Sequence, residues 1–282
     1  MILVTGPTGK VGQALIDALL AKGAAFKALA RSDASAKALE AKGVAVVRGD
    51  LADFGPALKG IDTLFLLSSS ADPYASEAGA VAAAKAAGVT KVVKLSAIGA
   101  HADSVNPFLR GHARVERLLE EGGLAWTSVR PSFFMQNWVL YNAPAIKAGQ
   151  PVYANAGTAK LGWVDVRDIA DVIVAALTQP GHEGRVYELT GPEPLSYGDV
   201  AAKLSKLLGR EVSYVPVPDE AAYQGMTGMG FLADYAWALT TLNQLVRRGL
   251  ADVSTQTVQL VAGHAPRTLD AFLAESKAAF QA

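Results

Sequence analysis

A short apolar run that breaks into three evenly spaced glycines constrains this chain more than any other stretch. Residues 1–12 read Met-Ile-Leu-Val-Thr-Gly-Pro-Thr-Gly-Lys-Val-Gly. Ile2, Leu3 and Val4 are enough for a buried parallel strand. The run stops at Thr5-Gly6, and from Lys10 onward apolar residues recur at helical spacing: Val11, Ala14, Leu15, Ala18 and Leu19. Strand, glycine turn and helix in that order are the setting a nucleotide-binding glycine motif requires. There Gly6 permits the tight turn, Gly9 lets backbone approach a pyrophosphate, and Gly12 lets the helix pack on the strand. The helix N-terminus, with Thr8, Lys10 and Val11 around it, offers free N–H groups and the positive end of its dipole to phosphates.

The rhythm continues. Strands are expected at 25–30, 44–48, 62–67, 91–95 and 124–129, alternating with helices at 34–42, 53–58, 74–87 and 108–121. Six strands alternating with helices imply an α/β fold, a doubly wound parallel sheet of the Rossmann type. Ligands of such sheets sit beyond the carboxyl ends of the strands, near the point where strand order reverses. That rule gathers residues 6–12, Arg31, Ser32, Asp50, Leu51, Ser68, Ser69, Ser70, Ser96, Ala97 and residues 130–134 on one rim. Serines in loops are ordinarily turn-formers, and that reading covers most of the run at 68–70. Past residue 133 aromatics concentrate (Phe133, Phe134, Trp138, Tyr141), followed by a Pro- and Gly-containing stretch to residue 162. A helix from about 164, a strand at 185–189, helices near 196–208, 219–226, 231–248 and 267–280, and a strand near 212–216 complete the chain. The expected division is a nucleotide-binding domain at 1–135, completed by 163–189. A smaller, mainly helical substrate lobe takes 136–162 and 190–282.

The Gly-x-x-Gly-x-x-Gly spacing resembles that of extended and atypical short-chain dehydrogenase/reductases. Residues 5–12, Thr-Gly-Pro-Thr-Gly-Lys-Val-Gly, are especially similar to their NmrA-like branch, which includes NAD(P)H-dependent quinone and triarylmethane-dye reductases. The resemblance extends to the layout of the whole chain and is motif-specific over about residues 1–135. In extended short-chain reductases the helix after the fifth strand carries Tyr-x-x-x-Lys-x-x-x-Glu, whose tyrosine gives or takes the substrate proton. Here that stretch has Phe108, His112 and Glu116. Phe108 has no exchangeable proton, which argues against an ordinary alcohol dehydrogenase or sugar epimerase. The NmrA-like branch shares this loss, and its reductases use acceptors that take hydride without a positioned acid. A quinone becomes a resonance-stabilised phenolate, and a triarylmethane cation becomes neutral. His112 and Glu116 lie one turn apart on one helix face. They form either a surface ion pair or packed histidine, or a site in which His112 faces the nicotinamide and binds substrate oxygen or supplies a proton near neutral pH. Phe108, Phe133, Phe134 and Trp138 are core aromatics or the walls of a pocket for a flat aromatic substrate.

Coenzyme choice turns on Arg31. In NAD-preferring domains an acid at the end of the second strand takes the ribose hydroxyls, whereas this chain has Arg31-Ser32 there and its nearest acid, Asp33, comes late. A guanidinium at that place can fork onto a 2′-phosphate, so NADPH is the expected coenzyme. The 26 basic and 26 acidic residues cancel, which disfavours nucleic acid or an anionic membrane as partner. There is no cysteine for disulfides or thiol chemistry, no apolar run of membrane-spanning length, and no metal-ligand spacing among the histidines. The expected protein is a cytoplasmic monomer or homodimer that transfers hydride from NADPH to an aromatic acceptor, quinone-like above all. The rival expectations are an NmrA-like redox sensor that binds NAD(P) without turnover, and a specialised ketone or imine reductase.

Overall fold

The computed structural model describes residues 1–281. The chain opens with β1 (Ile2–Val4), α1 (Lys10–Ala21), β2 (Phe26–Ala30), α2 (Asp33–Glu40) and β3 (Ala45–Arg48). After a short 3-10 turn at Gly55–Leu58 come β4 (Thr63–Leu66), α3 (Pro73–Ala86), β5 (Lys91–Leu95), α4 (Pro107–Glu121) and β6 (Ala125–Pro131). A π-helical turn at Trp138–Asn142 runs into α5 (Ala143–Lys147), then β7 (Val152–Ala154), β8 (Lys160–Leu161), α6 (Val166–Thr178) and β9 (Arg185–Leu189). The remainder is β10 (Leu195–Ser196), α7 (Tyr197–Leu208), β11 (Tyr214–Pro216), α8 (Asp219–Gly228), α9 (Ala233–Val246), α10 (Thr257–Ala262) and α11 (Leu269–Glu275).

The helix starts follow from capping chemistry. The Ser32 side chain caps α2 by accepting from the Ser35 N–H. Asp72 caps α3 and Asn106 caps α4, each followed by a proline in the first turn, where the missing N–H costs nothing. Ser196 and Asp199 cap α7 reciprocally.

Two compact units result. The first comprises Met1–Pro131 and Val166–Glu188, the second Ser132–Asp165 and Leu189–Ala282. The sheet of the first unit has the order β3-β2-β1-β4-β5-β6-β9. Its pairings from β3 to β6 are parallel. Strand order reverses between β2–β1 and β1–β4, so the switch point lies at the carboxyl ends of β1 and β4. Side chains alternate across the sheet. Leu3, Leu64, Leu66 and Val92 face a core built with Phe54, Ala80, Val81, Val115 and Leu119 from the α3 and α4 side. The alternate positions Val4, Phe65 and Val93 are equally buried, as expected of a parallel sheet covered on both faces.

The second unit has its own core around Trp138, Trp163, Leu204, Phe272 and Phe280. It is less purely helical than its sequence suggests, because it holds two small sheets. β10 pairs with β8 antiparallel, and β11 pairs with β7 parallel. Three of these strands, and α10, escape sequence reading: two or three residues show no periodicity, and each strand's partner lies far along the chain. The single helix expected at 267–280 is α11 followed by a separate 3-10 turn at Lys277–Ala279. Among the described residues, no helix is long and apolar enough to cross a membrane.

Candidate nucleotide-binding and catalytic site

The turn between β1 and α1 has the geometry its glycines imply. Gly6 adopts a left-handed conformation with φ +61°, which a side chain would strain. At Gly12 a Cβ would lie 2.0 Å from the Gly6 carbonyl oxygen, so only glycine lets α1 leave the strand this closely. Gly9 differs. A Cβ there would meet only the Gly6 oxygen, at an ordinary 3.5 Å, so the fold itself does not demand glycine at this position. Gly9 is also the N-cap of α1, which has neither a side-chain cap nor an acid in its first turn. With Thr8 and Lys10 exposed beside it, the first turn presents N–H groups that suit a phosphate. Thr5, buried beneath, ties the switch point together: its Oγ accepts from the Leu67 N–H at 2.8 Å and donates to the Leu67 carbonyl at 2.9 Å.

The rest of the rim sorts into three groups. Arg31, exposed at the end of β2, lies 3.8 Å from Asp50 in a loose pair, while the nearest acid, Asp33, is engaged by Arg48. Ser32 serves as the α2 cap. Asp50 turns back to accept from the Ala52 N–H at 3.0 Å, and Leu51 packs at the edge of the core. Of the serine run, Ser70 closes a local turn with Asp72 and Ser69 is exposed. Ser96 follows β5 with its Oγ buried and unpartnered among the described residues, beside half-buried Ala97.

Ser68 leads to the group sequence reading missed. Its Oγ donates to Glu77 Oε1 at 2.7 Å. Glu77 comes from α3 and Lys94 from β5, and their side chains are both fully buried and paired at 2.6 Å. Lys94 Nζ also bonds the Leu95 carbonyl at 2.9 Å and lies 3.1 Å from His112 Nδ1. The Phe108 ring meets the imidazole edge-on, with centroids 4.4 Å apart.

Of the alternatives for His112 and Glu116, the surface ion pair does not form, and the histidine is packed. Glu116 is taken instead by Arg130, which donates from Nε at 2.9 Å and from Nη2 at 2.5 Å, raising the guanidinium's already high pKa. His112 is buried. Burial first, then the positive charges of Lys94 and Arg130, push its pKa well below the ordinary 6.5. The shift favours the neutral imidazole near pH 7.

The aromatics expected in a substrate pocket divide between the two units. Phe108 is half-buried on α4 in the first. In the second, Phe133 packs against the core, edge-on to Trp163 at 5.9 Å, and Phe134 bridges to Val164. Trp138 does not line a pocket: it is 0% exposed, wedged between Trp163 and Tyr197. Its size and apolar surface made it a core residue.

The model of the NmrA-like family matches residues 1–273. The chain belongs to the NmrA-like family. The NAD(P)H azoreductase of Xenophilus azovorans is 41% identical over all of both chains. The (4-alkanoyl-5-oxo-2,5-dihydrofuran-3-yl)methyl phosphate reductase of Streptomyces griseus is 36% identical, with 99% of each chain covered. The NADPH complex of the NADPH-dependent quinone oxidoreductase of Escherichia coli superposes with a TM-score of 0.88 at 28% identity, covering 98% of this chain and 99% of that one. Within the family, this NmrA-like protein falls among the NAD(P)H-dependent reductases.

Two tests follow. Gly9→Val should fold with near wild-type stability yet lose coenzyme affinity in a fluorescence titration, whereas Gly12→Val should lose the fold. Equal coenzyme binding by Gly9→Val would remove the phosphate from this turn. The second test is pH dependence. A histidine whose folded pKa is depressed contributes nothing above its unfolded value and destabilises as pH falls from about 6.5 through the lowered folded pKa. The melting temperature should therefore drop more steeply below about pH 6.5 in the wild type than in His112→Gln. Parallel curves would show that His112 is not held neutral.

Proposed function

We propose that the protein is an NADPH-preferring reductase of flat, conjugated acceptors, quinone-like above all. The observation that carries this reading is the pairing of Phe108 with a neutral His112, because neither can act as a strong general acid. Such a site suits acceptors whose reduced form disperses its own negative charge, as a phenolate does. The azo and quinone reductases among the relatives are consistent with that chemistry.

The residues present fit a nicotinamide coenzyme, which when bound supplies the hydride. The backbone of residues 6–12 and the first turn of α1 would hold its pyrophosphate, in a cradle that a Cβ at Gly9 would fill. Ser96 Oγ would contribute a hydrogen bond. Arg31 would read the 2′-phosphate, since it reaches into solvent with only a loose tie to Asp50, and Asp33 is engaged by Arg48 and not free to favour an unphosphorylated ribose. Hydrogen bonds to charged groups contribute roughly 1.5–3 kcal/mol. With ~1.4 kcal/mol per factor of ten, that is on the order of ten- to hundredfold preference for NADPH. His112 would donate a hydrogen bond, without giving up its proton, to the acceptor atom that gains charge.

Steady-state NADPH oxidation tests the reading with a panel of quinones, azo dyes, an unsaturated lactone and simple ketones. Turnover should be strongest on the quinones and azo dyes, and Arg31→Ala should raise KM for NADPH while leaving NADH kinetics nearly unchanged. Tight NADPH binding without turnover on any acceptor would favour a redox sensor. Preference for the lactone or a ketone would favour a specialised biosynthetic reductase. Equal loss with both coenzymes in Arg31→Ala would refute the phosphate contact.

A further inference from the structure

Glu77, Lys94 and His112 come from α3, β5 and α4 and meet beneath the carboxyl ends of β4 and β5. Lys94 stands two residues after Val92 and so points to the same face of the sheet, where Val92 is apolar core. An ammonium has three donors and no acceptor, and at this depth each donor needs a partner. Glu77 Oε2 faces it as counter-ion at 2.6 Å, and its hydrogen bonds run to the Leu95 carbonyl at 2.9 Å and to His112 Nδ1 at 3.1 Å. Nδ1 must therefore accept, and the imidazole carries its single proton on Nε2. The Phe108 edge, nearly perpendicular at 85°, braces the ring. Among the described residues no hydrogen bond ends on Nε2. Glu77 is fixed in turn by the Ser68 hydroxyl at 2.7 Å and the Ser68 N–H at 3.2 Å, at the rim beside the switch point.

We propose that Lys94 is a positioning residue: together with Glu77 it locks His112 in one tautomer and one orientation, so that Nε2–H stands as a fixed neutral donor for the acceptor atom that gains negative charge on reduction. The inference rests on the reductase reading above. It deepens that reading by locating the control of the donor on β5, outside the helix that carries the histidine. No proton changes place in this arrangement. The ammonium holds the imidazole while Nε2–H donates a hydrogen bond, and solvent protonates the reduced acceptor afterwards.

Lys94→Met alone would leave the Glu77 carboxylate buried without a counter-ion, a change that commonly costs about 3–5 kcal/mol. The informative variant is the double replacement Glu77→Leu with Lys94→Met, because apolar pairs of similar volume often replace a buried ion pair without loss of stability. Two readouts decide. Long-range nitrogen–proton NMR of the wild type should show His112 protonated on Nε2 alone at pH 7 and above, and the folded double variant should populate both tautomers. For quinone reduction, kcat of the double variant should fall on the order of tenfold or more, short of the 10²–10³ that outright loss of an oxyanion donor costs, with KM for NADPH unchanged. A folded double variant that keeps the single tautomer, or keeps wild-type kcat, overturns the proposal. Absence of turnover in the wild type would instead overturn the reductase reading, and the NMR measurement would still decide what Lys94 does to His112.

Discussion

A positive charge buried in the middle of a parallel sheet dictates much of what surrounds it. Moving an ammonium out of water costs several kcal/mol even after relaxation, and Lys94 sits where no water reaches its side chain. The cost is offset only if a carboxylate and further acceptors are held in place, which recruits Glu77 from α3, the Leu95 carbonyl from β5 and Nδ1 of His112 from α4. Once those partners are committed, other features are determined. The cationic form of His112 is disfavoured, Glu116 pairs with Arg130, and Ser68 donates to Glu77 at the edge of the switch point.

The same arrangement explains how a site can work with phenylalanine in place of an acid. Phe108 contributes no proton, yet its ring restricts the imidazole beside it. A neutral N–H is a weak acid and a good hydrogen-bond donor, a combination suited to an acceptor that stabilises its own charge and unsuited to making an alkoxide from a ketone. On the proposed reading, Phe108 in place of an acid and the buried Lys94 belong to one arrangement. In the glycine turn the chain itself leaves no room for a side chain at Gly12 and holds Gly6 left-handed, while Gly9, which the fold leaves open, is the position proposed for a phosphate.

Much of this was legible in the sequence, and the reasons differ from place to place. The glycine turn could be read because its three glycines sit between a strand and a helix whose periodicities differ. The central strands β1 and β4 could be read because both faces are covered and each appears as an apolar run. Lys94 could not be read by those rules, since Lys-Val-Val-Lys-Leu passes for a strand with one wet face. A signal was present even so: a lysine inside a strand covered on both sides has no route to solvent and needs a counter-ion. Glu77, in an alanine-rich helix that packs on that strand, is the residue to supply it. The short strands β7, β8 and β10 left no trace, because their pairing is decided by a tertiary core around Trp138 and Trp163. That core also claimed Trp138, whose size suggested a substrate platform.

The central claim is that this site lets an acceptor be reduced without a protein acid acting in the same step. Anaerobic single-turnover mixing with a quinone tests it most directly, following NADPH oxidation with deuterium either on the reactive face of the nicotinamide or in the solvent. The account predicts a primary isotope effect from the labelled coenzyme and none from heavy water. A solvent isotope effect of comparable size, surviving in His112→Gln, would show that a proton from some other group moves in the same step and would contradict it.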